Sequence, residues 1–275
     1  MELTIDFLKD TALCIYDIVN PLIGTKEGAN KSDKGAGGDL SMQIDLVAEK
    51  TLIDILEQNE IDTLLISEEI GEKYIGSKEK AIENKNILIV DPVDGSNNAI
   101  RGIPYCSFSM AYAMGKYVKN IVKAVVVDLS TKDLYWAVKG DGSFFNDKKV
   151  HVSNLDIYDN CFIELNFSKK DVFAQIERLG PIIRRFHRIR VLGSTALTLC
   201  QIAKGSMEAF INLRESNRLV DVAAGLLILK EAGGCIFSLE GNEINEPLSI
   251  DLKFPFIASN KNLSSFLKDE LNRKF

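Results

Sequence analysis

Asn86–Ala111, NILIVDPVDGSNNAIRGIPYCSFSMA, joins an apolar run, a proline–glycine break and two aspartates in one segment. It opens on Ile87-Leu88-Ile89-Val90, a continuous apolar run rich in β-branched residues. Such a run suits a strand buried on both faces of a sheet. It then meets Asp91-Pro92-Val93-Asp94-Gly95-Ser96. Proline has no N–H for a ladder and glycine tolerates unusual backbone angles, so the strand is predicted to end here. Asp91 and Asp94 therefore leave the end of a buried strand together. A core requires neither carboxylate, and like charges held close repel unless a cation lies between them. The string alone is also satisfied by a loop with two solvated aspartates, and the rest of the chain has to decide.

With 275 residues, 46% of them hydrophobic, the chain can bury a full core as one large domain or two smaller ones. A net charge of -6 argues against a nucleic-acid groove, which wants a basic surface. The first residues, Met1-Glu2-Leu3-Thr4-Ile5-Asp6, carry acid where a secretory signal carries base, and no apolar run approaches membrane-spanning length. Five scattered cysteines without a C-x-x-C pair read as reduced residues of a cytoplasmic protein. Only His151 and His187 are present, so any bound metal is expected to be held by oxygen.

Working outward, Ile5–Ile23 and Ile44–Leu56 carry apolar residues at helical spacing, with Pro21 stopping the first and Asp45 in the first turn of the second. Between them Gly24–Leu40 holds five glycines and reads as a mobile loop or a passive surface connection. Ile61–Ile66 is a short strand that ends in Ser67-Glu68-Glu69, a second strand terminating in acids. Ser107–Ala113, Val118–Val127, Asp133–Val138, Gly142–Phe145 and Lys149–Val152 read as a meander.

The character changes after Ser153. Strands and helices then alternate: Cys161–Phe167, a helix Lys170–Phe186 interrupted or kinked at Gly180-Pro181, and Arg188–Leu192. A helix Ser194–Lys204, a strand Glu208–Asn212 and a helix Val220–Ala232 follow. Two strands, Cys235–Ser238 and Phe254–Ala258, and the helix Leu263–Arg273 finish the chain. The expectation is an N-terminal α+β half over residues 1–153 and a C-terminal α/β half over 154–275. Asp221 falls in the first turn of an otherwise apolar helix, where an acid can simply complement the helix dipole. The small run Ala223-Ala224-Gly225 allows that helix a close approach, as the roof of a site would need.

Taken together, these residues resemble the inositol monophosphatase superfamily. Asp91-Pro92-Val93-Asp94-Gly95-Ser96-Asn97-Asn98 is similar to its D-P-[IVL]-D-G-[TS]-x-N signature. Asp39–Asp45 is similar to its D-L-x-x-x-x-D segment and Ser67-Glu68-Glu69 to its [GS]-E-E. Gly193-Ser194-Thr195-Ala196 matches its G-[ST]-[ATS]-A turn, and Val220-Asp221-Val222-Ala223-Ala224-Gly225 its W-D-x-A-A-G. Five motifs in order cover nearly the whole chain. The resemblance implies a layered αβαβα sandwich of the sugar-phosphatase type and a Mg²⁺-dependent phosphomonoesterase with two or three ions. Mn²⁺ as an alternative, inhibition by Li⁺ and a homodimer belong to the same expectation.

By resemblance, Glu68, Asp91 and the Val93 carbonyl hold one ion, and Asp91, Asp94 and Asp221 a second. A weaker third lies near Glu68 and Asp45. Ser96 with Glu68 orients the attacking water, and the substrate phosphate lies against Gly95, Ser96, Gly193, Ser194 and Thr195. Lys34 matches a lysine of a loop that closes on metal and substrate. The chain departs from the pattern at Val220, where the family has tryptophan, and at Asn212, nearest to a glutamate that binds an inositol hydroxyl. Asn212–Leu219 is instead similar to the arginine-bearing version of archaeal dual enzymes that take inositol 1-phosphate and fructose 1,6-bisphosphate. That assigns Arg214 or Arg218 to a second phosphate, since a guanidinium can bind oxygens bidentately. Arg184, Arg185, Arg188 and Arg190 form a further basic cluster, with a solvated helix end the simpler reading for the first two. The expected partner is a small phosphate ester, with neither nucleic acid nor membrane. Alternatives are a phosphatase for 3′-phosphoadenosine 5′-phosphate or NADP, and a non-catalytic protein that binds phosphorylated ligands; the latter would be marked by a lost ligand acid.

Overall fold

The computed structural model of the chain describes residues 2–34 and 40–272. A hairpin of β1 (Lys31–Lys34) and β2 (Leu40–Met42) follows the helix α1 (Ile5–Val19) and leads into α2 (Gln43–Gln58). Next come β3 (Thr63–Ser67), β4 (Gly71–Ile75), α3 (Lys78–Asn84), β5 (Asn86–Asp94) and the single turn α4 (Ser96–Ala99). An antiparallel meander follows, made of β6 (Ser107–Met114), β7 (Ile121–Asp128), β8 (Leu134–Val138), β9 (Gly142–Phe145) and β10 (Lys148–Val150). The remainder is β11 (Phe162–Asn166), α5 (Val172–Ile183), β12 (Arg188–Arg190), α6 (Thr195–Ala203) and β13 (Ala209–Asn212). Then come α7 (Leu219–Glu231), β14 (Cys235–Phe237), β15 (Phe256–Ser259) and α8 (Lys261–Asn272).

Two sheets result. One runs β10-β9-β8-β7-β6-β5-β3-β4 and the other β12-β11-β13-β15-β14. Three apolar cores fix the stacking. Leu8, Ala12 and Ile15 of α1 and Ala48 and Leu52 of α2 cover one face of the larger sheet. On its other face lie α6 and α7, which are packed in turn against Phe210 and Phe256 of the smaller sheet. Leu179 of α5 and Leu263 and Leu267 of α8 close the smaller sheet's outer face. The layers are therefore αβαβα, as expected.

A helix between two sheets has no solvent side, and α7 is accordingly buried without a break from Leu219 to Leu229. Its small residues serve helix packing, not the roof of a site: a Cβ on Gly225 would come within 2.6–2.7 Å of the Leu199 side chain on α6.

The central strand corrects one expectation. Pro92 does not end it; β5 continues to Asp94, with all nine residues buried. Asp91 pairs with Ser109 and Asp94 with Ser107, so the strand carries one extra residue there. Proline is tolerated at that bulge because the ladder is already broken. Pro181 likewise lies inside α5 without ending it. The edge strand β4 and the short helix α3 were not anticipated: β4 exposes Glu72 and Lys73, and a short, charged edge strand gives little apolar pattern. In Gly24–Leu40 the described residues form turns and the first strand of the β1–β2 hairpin; Asp39 and the Lys34 side chain lie outside the described residues.

Gly225→Val should lower the unfolding free energy by about 2 kcal/mol, the usual cost of overpacking a tight contact. Urea denaturation measures it. An unchanged midpoint would mean that α6 and α7 are not packed as closely as described.

Candidate metal and phosphate site

Three chain segments end at one place. β3 delivers Glu68 just past its last residue, β5 delivers Asp91 and Asp94, and the first turn of α7 delivers Asp221. One ligand oxygen from each of Glu68, Asp91 and Asp221 lies within 4.8 Å of the others. Asp91 and Asp221 are 2% and 8% exposed, so water screens them little. The Val93 amide donates to Asp91 Oδ1 at 3.1 Å, which holds that carboxylate within the bulge. Asp221 also caps its helix, its Oδ2 accepting from the Arg218 amide at 3.0 Å. Capping and cluster membership, alternatives in the sequence, thus coexist on one side chain.

Asp94 and Asp45 flank this group. Asp94 Oδ2 accepts from Ser194 Oγ and from the Ala196 amide, both at 2.6 Å, which pins it to the N-terminus of α6. The Ser96 hydroxyl lies 2.8 Å from both Asp45 Oδ1 and the Val93 carbonyl. Its side-chain partner is therefore Asp45.

Burial and mutual repulsion dominate the electrostatics. Burial first, then the neighbouring Glu68, Asp94 and Asp221, push Asp91 well above the ordinary carboxylate range. Burial raises Glu68 to about 8, with the Arg218 guanidinium pulling the other way. Asp94 is raised to about 7 by burial and Asp221, against the hydrogen bonds from α6. Asp45 is raised to about 7 by burial, against its bond from Ser96. An all-oxygen set of acids that resist carrying their charges together suits a hard divalent cation such as Mg²⁺.

The acids form the floor of a cleft of about 1060 Å³ whose lining includes Gly95, Ser96, Gly193, Thr195 and Arg214. Gly95 has φ +92, and a Cβ there would meet the Tyr105 and Gly193 carbonyls at 3.0 and 3.2 Å. No other residue lets these two turns approach so closely. The rim is basic, with Lys31, Lys169, Lys170 and Lys253 exposed around it.

Two expected binding residues are placed elsewhere. Ser194 is buried and spends its hydroxyl on Asp94, so it acts behind the cleft wall. Asn212 is fully buried, bonded to Asn217 and to the Arg214 amide, and braces the loop that carries Arg214. Arg218 lines the cleft, but its guanidinium rests on Glu68 at 2.5 Å. Arg184, Arg185 and Arg188 are exposed outside the cleft lining, and Arg190 lies over the Phe162 ring.

The sequence reading missed two braces and the lysine rim. Glu164, buried in β11, accepts from the Leu192 and Gly193 amides and from Thr198 Oγ1 at 2.6 Å. Asn98 donates to the Leu192 and Tyr105 carbonyls at 2.7 and 2.9 Å. Together they fix the turn at Gly193. An acid inside the otherwise apolar strand Cys161–Phe167 was the available signal.

The comparisons with known proteins agree with this geometry. The family described as the inositol monophosphatase family matches residues 3–273. The chain belongs to the inositol monophosphatase family. It is a phosphatase of that superfamily. It is 37% identical to a fructose-1,6-bisphosphatase/inositol-1-monophosphatase of Methanothermobacter thermautotrophicus, over 88% of this chain and 86% of that one. It is 36% identical over 96% of its length to a bifunctional NADP phosphatase/NAD kinase of Methanococcus maripaludis, of which it spans about half, 47%. A solved inositol monophosphatase–fructose 1,6-bisphosphatase superposes with a TM-score of 0.84 at 26% identity, covering 98% of both chains. The family likeness and the cluster agree on a metal-dependent site.

The raised acids give a pH signature. A carboxyl whose folded value lies above its unfolded value stabilises the fold while protonated and loses that contribution as pH rises through the folded value. In chelator-treated protein the melting temperature should therefore fall as pH rises from about 4 toward the values near 7 and 8 of Asp94, Asp45 and Glu68. Calorimetric scans across that range measure it, and a flat or rising profile would contradict the strained acid cluster.

Proposed function

We propose that the chain is a Mg²⁺-dependent phosphomonoesterase acting on sugar phosphates, fructose 1,6-bisphosphate and inositol 1-phosphate among them. The observation that carries this reading is the acid cluster on the floor of a cleft with a basic rim. No helix among the described residues is long and apolar enough to cross a membrane.

Glu68, Asp91 and the Val93 carbonyl are the candidates for one ion and Asp91, Asp94 and Asp221 for a second, with Asp45 and Glu68 near a third. When bound, Mg²⁺ neutralises the phosphate's charge and makes water a competent nucleophile near neutral pH. The chain's own residues do the rest. Ser96 Oγ can accept a hydrogen bond from the attacking water while its own proton points to Asp45 Oδ1. Asp45 thereby fixes the direction of the Ser96 proton and leaves the oxygen's lone pairs to the water. Gly95, Gly193 and Thr195 border the space for the ester phosphate, and Ser194 acts through Asp94. Arg214 and the rim lysines provide the countercharge for a second anionic group.

A second reading is hydrolysis of the 2′-phosphate of NADP. It is favoured by the likeness to the NADP phosphatase/NAD kinase across 96% of this chain, and a rim of several lysines suits a pyrophosphate as well as a sugar phosphate.

Phosphate release should be assayed with fructose 1,6-bisphosphate, inositol 1-phosphate, NADP and 3′-phosphoadenosine 5′-phosphate. Asp91→Asn should lose several orders of magnitude on every substrate with circular dichroism unchanged; a variant that keeps a tenth of wild-type activity would sink the two-metal assignment. Arg214→Ala should lose about ten- to a hundredfold in kcat/KM on the bisphosphate, the cost of a charge-assisted contact, while inositol 1-phosphate barely changes. Equal losses on both would make Arg214 a structural residue of its loop. Preference for NADP by an order of magnitude would replace the sugar-phosphate reading with the second.

A further inference from the structure

Arg218 is positioned by its backbone and occupied by its side chain in ways that point to different jobs. Its amide donates to Asp221 Oδ2 and its backbone bridges to Lys253, so the main chain is fixed at the start of α7. Its guanidinium reaches into the acid cluster, with Nη2 2.5 Å from Glu68 Oε1 and Nε 3.8 Å from Asp221 Oδ1. The side chain is only 11% exposed, far too enclosed for an ordinary surface ion pair. Both carboxylates it touches belong to the group whose oxygens lie within 4.8 Å of one another. The guanidinium thus holds oxygens that a divalent ion in the same cluster would need.

We propose that Arg218 is an exchangeable counter-ion of the acid cluster, holding Glu68 and Asp221 together before a divalent cation enters and yielding those oxygens when one does. This rests on the reading above that the cluster binds a divalent cation. Guanidinium and Mg²⁺ are not equivalent occupants. Mg²⁺ carries twice the charge and approaches carboxylate oxygens to about 2.0–2.1 Å. A delocalised single charge at hydrogen-bond distance binds them less strongly. Once Mg²⁺ is present the guanidinium meets a like charge, and the adjoining cleft gives its flexible stem somewhere to go. There it faces the space between Arg214 and Lys253, which a second anionic group of a substrate would fill. Metal loading and the completion of the substrate's countercharge are in this way one event.

The role predicts changes of opposite sign in one variant. Arg218→Gln removes the charge and keeps a polar stem. By calorimetric titration without substrate its Mg²⁺ affinity should rise at least about tenfold, the scale expected when a neighbouring like charge is removed at an effective dielectric constant of about 20. Its melting temperature in chelator should fall, because the carboxylates lose their internal partner. The shift that Mg²⁺ then produces should exceed that of wild type. Arg218→Lys retains the charge and should stay near wild type in both measurements. Recovery of the Gln variant only when it is purified in Mg²⁺ would be the same result in stronger form. Unchanged or weaker Mg²⁺ binding by the Gln variant would overturn the inference and leave the metal reading standing. No Mg²⁺ binding by wild type would remove that reading and the inference with it.

Discussion

Repulsion among buried carboxylates is the constraint on which the rest of the molecule depends. Glu68, Asp91 and Asp221 come from segments far apart in sequence, and each alone could have been solvated. Bringing them together out of water costs free energy that no packing at that spot returns. The fold tolerates it only because the surrounding frame is rigid. β3 and β5 run parallel side by side, so their ends coincide, and the bulge at Pro92 lets β5 present two acids beyond the last regular pair. α7 brings the third acid because it is trapped between two sheets and cannot retreat.

The same frame supplies the cleft wall proposed to bind the phosphate. α6 begins beside Asp94 and donates to it, so the turn Gly193–Thr195 is registered against the acid cluster by a direct bond. Glu164 of β11 and Asn98 of α4 grip that turn from either side. Gly95 closes the remaining gap, since any side chain there would strike the Gly193 carbonyl. Acid floor and cleft wall are thus one unit, and a shift in either displaces the other.

Much of this was legible in the sequence because it was written in local chemistry. The apolar run before Asp91, the acids after two strands, and the uninterrupted apolar helix carrying Asp221 each reflect burial that a short window reveals. What was not legible depends on contacts across the chain. Ser194 reads as a phosphate ligand until the structure shows its hydroxyl committed to Asp94. Asn212 falls at the expected position but is turned inward to Asn217. Arg218 reads as a substrate ligand, and only the fold reveals its ion pair with Glu68. The continuation of β5 through Pro92 depends on the bulge against β6, which the sequence of one strand does not encode.

An acid cluster of this kind is expected to take up divalent cations. Anomalous diffraction from crystals soaked in Mn²⁺ tests it most directly. The account predicts two peaks about 3.5–4 Å apart, the separation of two-metal sites, with Asp91 between them. Glu68 should ligate one and Asp221 the other. A cluster without an anomalous peak at saturating Mn²⁺, with ions bound only at surface acids, would contradict it.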